Sequence, residues 1–349
     1  MSEKQIKCVV WGLDNTIWNG ILTEGAVTLR DGIREIMSEL DRRGILQSIA
    51  SKNNFDDAWA QLEGFGIAEY FLYPQINWNP KSGSVKLIRE KLNLGIDTFA
   101  FIDDSAFERE EVTHAIPEVT AIDAADIDKL LDMDMFIPRF ITEDTVNRRK
   151  MYMADISRES DKAEFQGTDE EFLSSLDMKL SIAPVTEHDL QRAYELTVRT
   201  HQLNSTGYTY SYDELREFID SDKYIFLIAQ LTDKYGDYGK IGLILVENTD
   251  VMTIKLLLMS CRVMSRGVGS AILIYLEKLS KKLNKRLLAE FLATDRNRVM
   301  YITYKFMGFD ELDSDDEDSA ASVLEYDPES ERDYPPYFEI EDQTQEGNQ

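Results

Sequence analysis

The first 120 residues alternate short apolar runs with longer segments of helical periodicity. The apolar runs are KCVVW, ILQSIAS and TFAFIDD, and the helical segments are GIREIMSELDRRG, NFDDAWAQLEGFG and SGSVKLIREKLNLG. Regular alternation of strands and helices predicts an α/β fold with a parallel, doubly wound (Rossmannoid) sheet. Ligands of such sheets bind beyond the carboxyl ends of the strands, and Asp14, Ser51 and Asp103–Asp104 all lie at those ends.

A second α/β unit is predicted to begin near Met178. The runs KLSIAPV, YIFLIAQLTD, KIGLILVEN and TIKLLLMSC have the composition of strands, and a long helix follows over Gly269 to Lys282. The segment between the two units is charged and helical. We therefore predict a first domain over 1–137, a helical connector over 138–177, a second domain with an acidic segment over 178–340, and a disordered tail over 341–349.

The net charge of −27 argues against nucleic acid as a partner, because binding a duplex needs clustered Lys and Arg. Residues 310–349 hold 16 acidic side chains and one basic side chain, so a solvated, partly disordered segment is expected over 310–321. Beyond it, SVLEY alternates polar and apolar residues and is predicted to form a last strand. YPPYFEI is expected to pack on the body of the domain.

Membrane insertion and secretion are not predicted. No apolar run approaches the length of a membrane span, and the N-terminus, MSEKQIKC, has no apolar signal core. The two cysteines, Cys8 and Cys261, do not make a disulfide framework in a chain of this length. A reducing cytoplasm is therefore the expected location.

The stretch CVVWGLDNTIW places an apolar strand directly before Leu13-Asp14-Asn15-Thr16. It resembles the phosphate-handling loop of haloacid-dehalogenase (HAD) phosphatases, Asp-x-Asp-x-Thr, in which the first aspartate attacks phosphorus and the second is the general acid and base. Asp14 matches the second aspartate, but Gly12 stands in the position of the first. Because glycine has no carboxylate, the covalent route should not operate, and one expected Mg²⁺ ligand is lost.

The other parts of that chemistry follow in the order of the HAD pattern. Ser51 matches the hydroxyl that holds the phosphoryl group, and Lys81, in INWNPKSGS, matches the lysine. Asp103 and Asp104, in FIDDSAFERE, match the carboxylates that hold Mg²⁺ together with Asp14. Each residue alone could lie in a surface turn, but the ordered set on alternating strands favours a phosphatase-like site.

A glycine-rich loop precedes the long helix of the second unit. Arg266-Gly267-Val268-Gly269-Ser270-Ala271 fits Arg-x-x-Gly-x-Gly/Ala, the pattern of the GNAT acyltransferase fold. In such a loop, backbone amides and the helix N-terminus hold a pyrophosphate or a pantetheine arm. Further on, Asn297 and Tyr304 precede Gly308-Phe309, as at the end of that fold.

Cys261 ends the strand before this loop and is followed by Arg262. A thiolate beside a cation and a helix N-terminus is nucleophilic, whereas a buried small residue is the simpler interpretation of a single cysteine. His201, in LTVRTHQLNSTGY, could serve as its base or could be a polar residue with satisfied hydrogen bonds. The residues alone leave both alternatives open.

Together the motifs resemble those of the FkbH-like family. They are DNTIWNG, SIASKNN, PQINWNPKS, FAFIDDSAFEREEV, RTHQLNSTGYTYS and LLLMSCRVMSRGVG, and the resemblance covers about residues 5–309. The family fuses an HAD-type domain to a GNAT-like acyltransferase domain and serves polyketide biosynthesis. Its members attach the glyceryl group of 1,3-bisphosphoglycerate through a cysteine thioester, remove the phosphate, and pass the unit to the phosphopantetheine of an acyl carrier protein. The products lead to tetronates and methoxymalonyl-type extender units.

The resemblance implies a role for each matching position. Cys261 would be the acyl-accepting thiol, His201 would act beside it, and Asp14 would be catalytic in phosphate removal. The phosphate would be bound by Ser51, Lys52 and Lys81, and Mg²⁺ by Asp14, Asp103 and Asp104. The acyl group or the pantetheine arm would be bound by Gln202, Asn204, Arg262, Arg266, Gly267, Gly269, Asn297 and Tyr304.

The carrier protein expected from this resemblance is acidic, so docking should use a local basic patch. The segment EKLSKKLNKR supplies one, unless it is simply a solvated helix face. Its basic residues are Lys278, Lys281, Lys282, Lys285 and Arg286.

The departure at Gly12 leaves three interpretations. The chain is a glyceryl-carrier-protein synthase with an inactivating change, or it is an acyltransferase that loads an unphosphorylated unit or leaves phosphate removal to another enzyme. The third interpretation is a non-catalytic scaffold that binds the carrier protein. The presence of Cys261 and His201 counts against the scaffold.

Overall fold

The computed structural model describes residues 5–200, 202–312, 321–330 and 332–345. Contacts between Cα atoms divide the chain into two compact units, Met1–Met153 and Ala154–Gln349. Each unit is an α/β structure with a sheet of its own, so the predicted fold class is confirmed. The finer division at residues 137 and 177 stays a prediction.

The first unit alternates strands and helices as the sequence predicts. Its elements are β1 (Cys8–Trp11), β2 (Trp18–Asn19), β3 (Thr28–Leu29), α1 (Ile33–Arg42), β4 (Leu46–Ser51), α2 (Phe55–Gly64), β5 (Gln75–Ile76), α3 (Lys81–Leu92), β6 (Phe99–Asp103), α4 (Ala106–Ala115), β7 (Thr120–Asp123) and α5 (Glu143–Val146). Helix α6 (Arg148–Glu164) begins in this unit and ends in the second.

The main sheet of the first unit has the order β5-β4-β1-β6-β7, and all of its pairings are parallel. All four residues of β1 are buried, because strands of a parallel sheet are covered on both faces. Parallel strands end at the same edge, so the residues that follow β1, β4 and β6 come together there. The strands β2 and β3 form a separate antiparallel pair.

The second unit is built around a larger, mixed sheet. Its elements are α7 (Asp169–Ser174), β8 (Met178–Pro184), α8 (Leu190–Arg199), α9 (Tyr212–Ile219), β9 (Tyr224–Asp233), β10 (Gly236–Asn248), β11 (Met252–Met259), α10 (Val268–Leu283), β12 (Leu287–Phe291), α11 (Arg298–Phe306), β13 (Phe309–Glu311), β14 (Ser322–Tyr326) and β15 (Phe338–Asp342). The strand order is β13-β14-β12-β11-β10-β9-β8-β15.

The pairings of this sheet are antiparallel except for β11 with β12 and β15 with β8. SVLEY forms β14, as predicted, although β15 follows it. Because β15 continues to Asp342, the sheet extends past the boundary predicted at 340/341. The acidic residues 313–320 and the tail residues 346–349 lie outside the described part of the chain.

Each unit encloses its own apolar core. Trp11 and Phe101 are fully buried in the first unit, and Leu257 and Ile272 in the second. None of the helices in the described ranges is long and apolar enough to cross a bilayer.

Candidate functional site

The parallel sheet of the first unit gathers the predicted phosphatase residues at one edge. Asp14 lies three residues after β1, Ser51 is the last residue of β4, and Asp103 is the last residue of β6. Lys81 is the first residue of α3, which follows β5. Sequence reasoning therefore predicted the edge at which these residues lie.

Three nitrogen donors hold Asp14 in place. Its Oδ1 accepts hydrogen bonds from Trp18 Nε1 (2.9 Å) and from the backbone N–H of Leu22 (3.0 Å). Its Oδ2 accepts one from Asn53 Nδ2 (3.0 Å), which also donates to Ser51 Oγ (3.1 Å). Both carboxylate oxygens thus face donors, and the side chain has one fixed orientation.

Lys81 and Asp103 form a buried ion pair beside Asp14's loop. Lys81 Nζ lies 2.6 Å from Asp103 Oδ2, and the two side chains are 10% and 2% exposed. Burial raises the pKa of Asp103 above its usual range, and the charge of Lys81 offsets only part of that effect. The lysine predicted to hold phosphate therefore already has an anionic partner.

Gly12 lies directly against this ion pair. A Cβ atom at position 12 would come 2.3 Å from Asp103 Oδ2 and 3.3 Å from Thr16 Oγ1. The backbone does not require glycine, since Gly12 is not among the residues with positive φ. The space in which a nucleophilic aspartate would begin is instead filled by the carboxylate of Asp103.

The two remaining residues predicted for this site lie nearer to solvent. The side chain of Asp104 is exposed, and its backbone N–H donates to Thr16 Oγ1 (3.2 Å). Lys52 Nζ lies 2.7 Å from Glu108 Oε1. Lys52 and Lys81, both predicted to bind phosphate, thus each pair with a carboxylate of the chain.

The donors around Asp14 and Asp103 do not fit Mg²⁺ as they are arranged. Mg²⁺ takes oxygen ligands in near-octahedral geometry, whereas the Asp14 oxygens face N–H groups and Asp103 faces an ammonium group. Asp104 does not complete a site with them, since the part of the chain that the structure describes holds no group of three acidic, His or Cys side chains suited to a metal ion.

In the second unit, Cys261 lies in the loop between β11 and α10. The preceding residue, Ser260, is tied to β10 by a hydrogen bond from its backbone N–H to Ile241 O (2.7 Å), and Cys261–Val263 form one 3-10 turn. Cys261 is partly exposed, whereas Cys8 is fully buried in β1. Burial also raises the pKa of the Cys8 thiol, so Cys261 is the more accessible of the two thiols and the one that does not carry this effect of full burial.

The segment predicted to line the thiol site is attached to the end of β11. The backbone N–H of Met259 donates to Leu203 O (2.8 Å). Gln202 directly precedes Leu203 and so lies near the strand end that leads to Cys261, and its side chain is exposed. His201 lies outside the described residues, and its role as a base stays a prediction.

Asn204 and Asn297 were predicted to contact the ligand, but their side chains are buried and bind backbone groups. Asn297 Nδ2 donates to Asn204 O and to Leu292 O, both at 2.9 Å. Asn204 Oδ1 accepts from the backbone N–H groups of Thr206 (3.1 Å) and Gly207 (2.9 Å). The structure thus gives both amides a positioning role, because they fix the segment that follows Gln202.

Tyr304 and Gly269 serve packing in this arrangement. Tyr304 is fully buried, and burial raises the pKa of its hydroxyl, so no exposed atom of this residue is available to a ligand. A Cβ atom at Gly269 would come 3.0 Å from Met259 Cε and 3.5 Å from Thr303 Cγ2. The glycine therefore permits the close approach of α10 to β11 and α11.

Arg266 takes part in a network of charges next to the thiol loop. Its Nη2 lies 3.6 Å from Asp155 Oδ1, which is also 2.9 Å from Arg158 Nη1. Arg158 in turn binds Asp233 through Nε (2.6 Å) and Nη2 (2.7 Å), and Tyr238 Oη donates to Asp233 Oδ2 (2.8 Å). Arg158 and Asp233 are almost completely buried, so this network is a fixed part of the unit.

Arg262 also contributes to the charge balance around Asp155. Burial raises the pKa of Asp155, and the charges of Arg158, Arg262 and Arg266 oppose that effect without cancelling it. The Nε of Arg262 lies 3.4 Å from Ser260 Oγ. Arg262 and Arg266, both predicted to contact the acyl group or the pantetheine arm, therefore share an acidic neighbour in the chain itself.

Sequence reasoning missed several residues of these sites. Asn53 had a visible signal, because it follows Ser51 in the SIASKNN motif. Asp155, Arg158 and Tyr337 had none, since each meets its partners only through the fold: Arg158 binds a carboxylate 75 positions away, and Tyr337 lies over Gly267 at the start of α10.

The basic patch predicted to dock a carrier protein is largely paired within the unit. Lys278 lies 3.9 Å from Asp333, Lys281 3.2 Å from Glu277, and Arg286 2.5 Å from Glu325, while Lys285 donates to Asn248 (2.8 Å). Apart from the Lys281 pair, whose partner Glu277 is buried, these contacts lie at the surface and are weak, so the patch can still attract an acidic partner. Docking there stays a prediction.

No family model and no curated protein matches the sequence. Solved structures are similar to parts of it. One is the N-terminal part of a Bacteroides fragilis protein, which contains a phosphatase domain and is complexed with Mg. It is 28% identical, with a TM-score of 0.35, and the match covers 39% of this chain and 42% of that one.

Other solved structures match a comparable share of the chain. The ribosomal-protein-S18-alanine N-acetyltransferase of Escherichia coli is 18% identical over 42% of this chain and 90% of its own, with a TM-score of 0.33. The GNAT domain of S. lividans PAT is 18% identical over 42% of this chain and 88% of its own, with a TM-score of 0.33. Because these TM-scores are low, the similarity by itself assigns no function to this chain.

Proposed function

We propose that the chain is an acyltransferase that passes a glyceryl or phosphoglyceryl unit through a thioester on Cys261. The proposed donor is 1,3-bisphosphoglycerate, and the proposed acceptor is the phosphopantetheine thiol of an acyl carrier protein. Polyketide biosynthesis of the tetronate or methoxymalonyl type is the setting that the FkbH-like motifs imply.

The observation that carries this proposal is the position of Cys261. It is a partly exposed thiol after a buried strand, on the loop that leads into α10, and the segment after His201 is hydrogen-bonded to the end of the same strand. A reactive thiol needs access and a positive environment, and the loop offers both through solvent exposure and Arg262. Cys8 has neither, since it is fully buried.

The proposed transfer consists of two acyl-exchange steps, and in each step one bond to the acyl carbon forms as another breaks. The Cys261 thiolate attacks the acyl carbon of the mixed anhydride, the bond from that carbon to the phosphate oxygen breaks, and inorganic phosphate leaves with the electron pair. The pantetheine thiolate then attacks the thioester, and the Cys261 thiolate leaves. Each thiol gives up its proton to a base, for which His201 is the proposed residue.

We do not assign removal of the second phosphate to the first unit. The aspartyl-phosphate route needs a carboxylate at position 12, and Asp103 together with Lys81 fills that place. The unit passed to the carrier is therefore proposed to keep its phosphate.

The test is covalent loading of three chains with labelled 1,3-bisphosphoglycerate. The wild type and Cys8→Ala should both retain label as an alkali-labile or hydroxylamine-labile thioester, and Cys261→Ser should lose more than about 99% of it, because the nucleophile is gone. Cys8→Ala is the matched control, since it removes the chain's other thiol. Equal thioester formation by Cys261→Ser would contradict the proposal.

A further inference from the structure

The loop before α10 has two features that bear on which thiol carrier it accepts. Helix α10 is 16 residues long, and the N-terminus of a helix of that length attracts anions, diphosphates included. A pantetheine thiol can arrive on coenzyme A, which carries a diphosphate, or on a carrier protein, which carries a single phosphodiester at the far end of the arm. Two side chains near the loop, Asp155 and Tyr337, bear on which of these two sources fits.

The first feature is an internal carboxylate at the arginine of the loop. Asp155 lies 3.6 Å from Arg266 and 2.9 Å from Arg158, and its side chain is 15% exposed. The guanidinium groups of Arg158 and Arg266 also lie 3.9 Å and 5.2 Å from the ring centroid of Tyr238. The positive charge that an incoming diphosphate would need at this loop is therefore opposed by a fixed negative charge.

The second feature is a tyrosine over the first turn of α10. A Cβ atom at Gly267 would come 2.6 Å from Tyr337 Oη, so the phenol covers the residue that caps the helix. Gly267 has φ +75°, a left-handed conformation that glycine adopts without strain. Tyr337 is held by its neighbour Phe338, which is buried and lies in β15 beside β8.

We propose that Asp155 and Tyr337 close the diphosphate position at the start of α10, so that this unit takes its thiol from a carrier protein and not from coenzyme A. The inference rests on the proposed function, because it concerns the acceptor of the same transfer. It assigns to Asp155 and Tyr337 a role in ligand selection, which no sequence motif of this chain indicates.

The simpler alternative is that Asp155 only anchors Arg158. That alternative predicts that changing Asp155 lowers stability and leaves ligand preference unchanged. It also predicts no effect of Tyr337 on ligand preference, since Tyr337 is not part of the Arg158 network. Asp155 and Tyr337 therefore provide independent tests of the proposed selection against coenzyme A.

The experiment is calorimetric titration of the full chain with coenzyme A, and separately with pantetheine, in the absence of any acyl donor. The wild type should bind coenzyme A no more tightly than pantetheine. Asp155→Asn and Tyr337→Ala should each gain about tenfold or more in affinity for coenzyme A, with no gain for pantetheine. Asp161→Asn and Tyr334→Ala are matched controls in α6 and in the segment before Tyr337, and neither should change the preference.

Two results would overturn the inference. One is wild-type binding of coenzyme A that exceeds pantetheine binding by about tenfold or more, which would show an open diphosphate position. The other is unchanged coenzyme A binding by both variants when circular dichroism shows them folded. If Asp155→Asn does not fold, Tyr337→Ala decides alone, because it leaves the charge network intact. Loading of Cys261 is measured separately, so failure of the proposed function and failure of this inference give different results.

Discussion

In both units an internal carboxylate lies against a cation that the sequence predicts to contact a bound ligand, but the consequences differ. In the first unit, Asp103 pairs with Lys81 inside the predicted phosphatase site and fills the space at Gly12. In the second unit, Asp155 lies 3.6 Å from Arg266 beside the thiol loop, and Cys261 stays partly exposed. The first arrangement fills the place of the expected phosphatase nucleophile, whereas the second leaves accessible the thiol that we propose as a nucleophile.

The pKa shifts of buried carboxylates also differ between Asp103 in the first unit and Asp233 in the second. Burial raises the pKa of Asp103, and a single lysine does not compensate. Burial acts on Asp233 as well, but the two hydrogen bonds from Arg158 and the one from Tyr238 more than compensate, and the pKa of Asp233 is lowered. A forked guanidinium therefore stabilises a buried carboxylate better than one ammonium group does. We infer that Asp103 carries an electrostatic cost that Asp233 avoids, whereas Asp155, whose pKa burial also raises, carries such a cost in the second unit.

The largest effect is expected from removing Lys81. Lys81→Met would leave Asp103 buried without its cation, so the first unit should lose about 3–5 kcal/mol of stability. The four tryptophans, Trp11, Trp18, Trp59 and Trp78, all lie in the first unit, so urea unfolding followed by tryptophan fluorescence reports on that unit.

The matched control for this variant is Lys52→Met. Lys52 is 35% exposed and pairs with Glu108, so its loss should cost only about 1 kcal/mol or less. Equal losses in the two variants would mean that Lys81 and Asp103 are solvated, and the contrast between the two units would fail.

A smaller effect is expected from adding one carbon at position 12. Gly12→Ala places Cβ 2.3 Å from Asp103 Oδ2, so the pair with Lys81 must shift, at a cost of about 1–3 kcal/mol. Gly83→Ala is the control, because Gly83 lies in α3 with nothing within 4 Å of a Cβ atom. That change should stabilise the unit by up to about 1 kcal/mol through helix propensity. A neutral or stabilising Gly12→Ala would contradict the packing described for Asp103.

The pH dependence of the first unit's unfolding free energy should reflect the raised pKa of Asp103. Its unfolded value is near 3.8, so between that pH and the raised folded value the folded state binds more protons than the unfolded state. This carboxyl group therefore contributes stability that is fully present below pH 3.8 and is lost as pH rises through the folded pKa. Asp103→Asn should remove this contribution to the change of the unfolding free energy with pH, as measured by urea unfolding monitored by tryptophan fluorescence. An unchanged pH dependence of the unfolding free energy would mean that the pKa of Asp103 is not raised in the folded state.

The smallest effect is expected from magnesium. Because Asp14 faces N–H donors and Asp103 faces Lys81, added Mg²⁺ should change the melting temperature of the wild-type first unit by less than about 1 °C. Differential scanning calorimetry with Mg²⁺ and with an equal ionic strength of NaCl checks this expectation. A saturable, Mg²⁺-specific rise of several degrees would show that the carboxylates rearrange to form a metal site.

The sequence predicted the parts of the molecule that depend on local pattern. Strand and helix alternation placed Asp14, Ser51 and Asp103 at one sheet edge, and the glycine-rich loop marked the start of α10. It could not predict the roles of Asn204 and Asn297, because an amide that binds a ligand and one that binds backbone look alike in sequence.

The sequence also could not predict which distant residues contact each other. The missing aspartate at position 12 was visible, but the carboxylate that fills its place belongs to Asp103, 91 positions further on, and only the parallel pairing of β1 with β6 brings the two together. The same holds for Asp155 and Arg266, which meet through the packing of α6 in the second unit.

The decisive measurement is intact-protein mass spectrometry of the wild type after mixing with 1,3-bisphosphoglycerate and then with a holo carrier protein. We predict an adduct of phosphoglyceryl mass on this chain, which then moves to the carrier with its phosphate retained, because Cys261 is accessible and the first unit lacks its nucleophile. A plain glyceryl adduct would show that phosphate is removed without a carboxylate at Gly12, and the interpretation of the first unit as inactive in this step would be wrong.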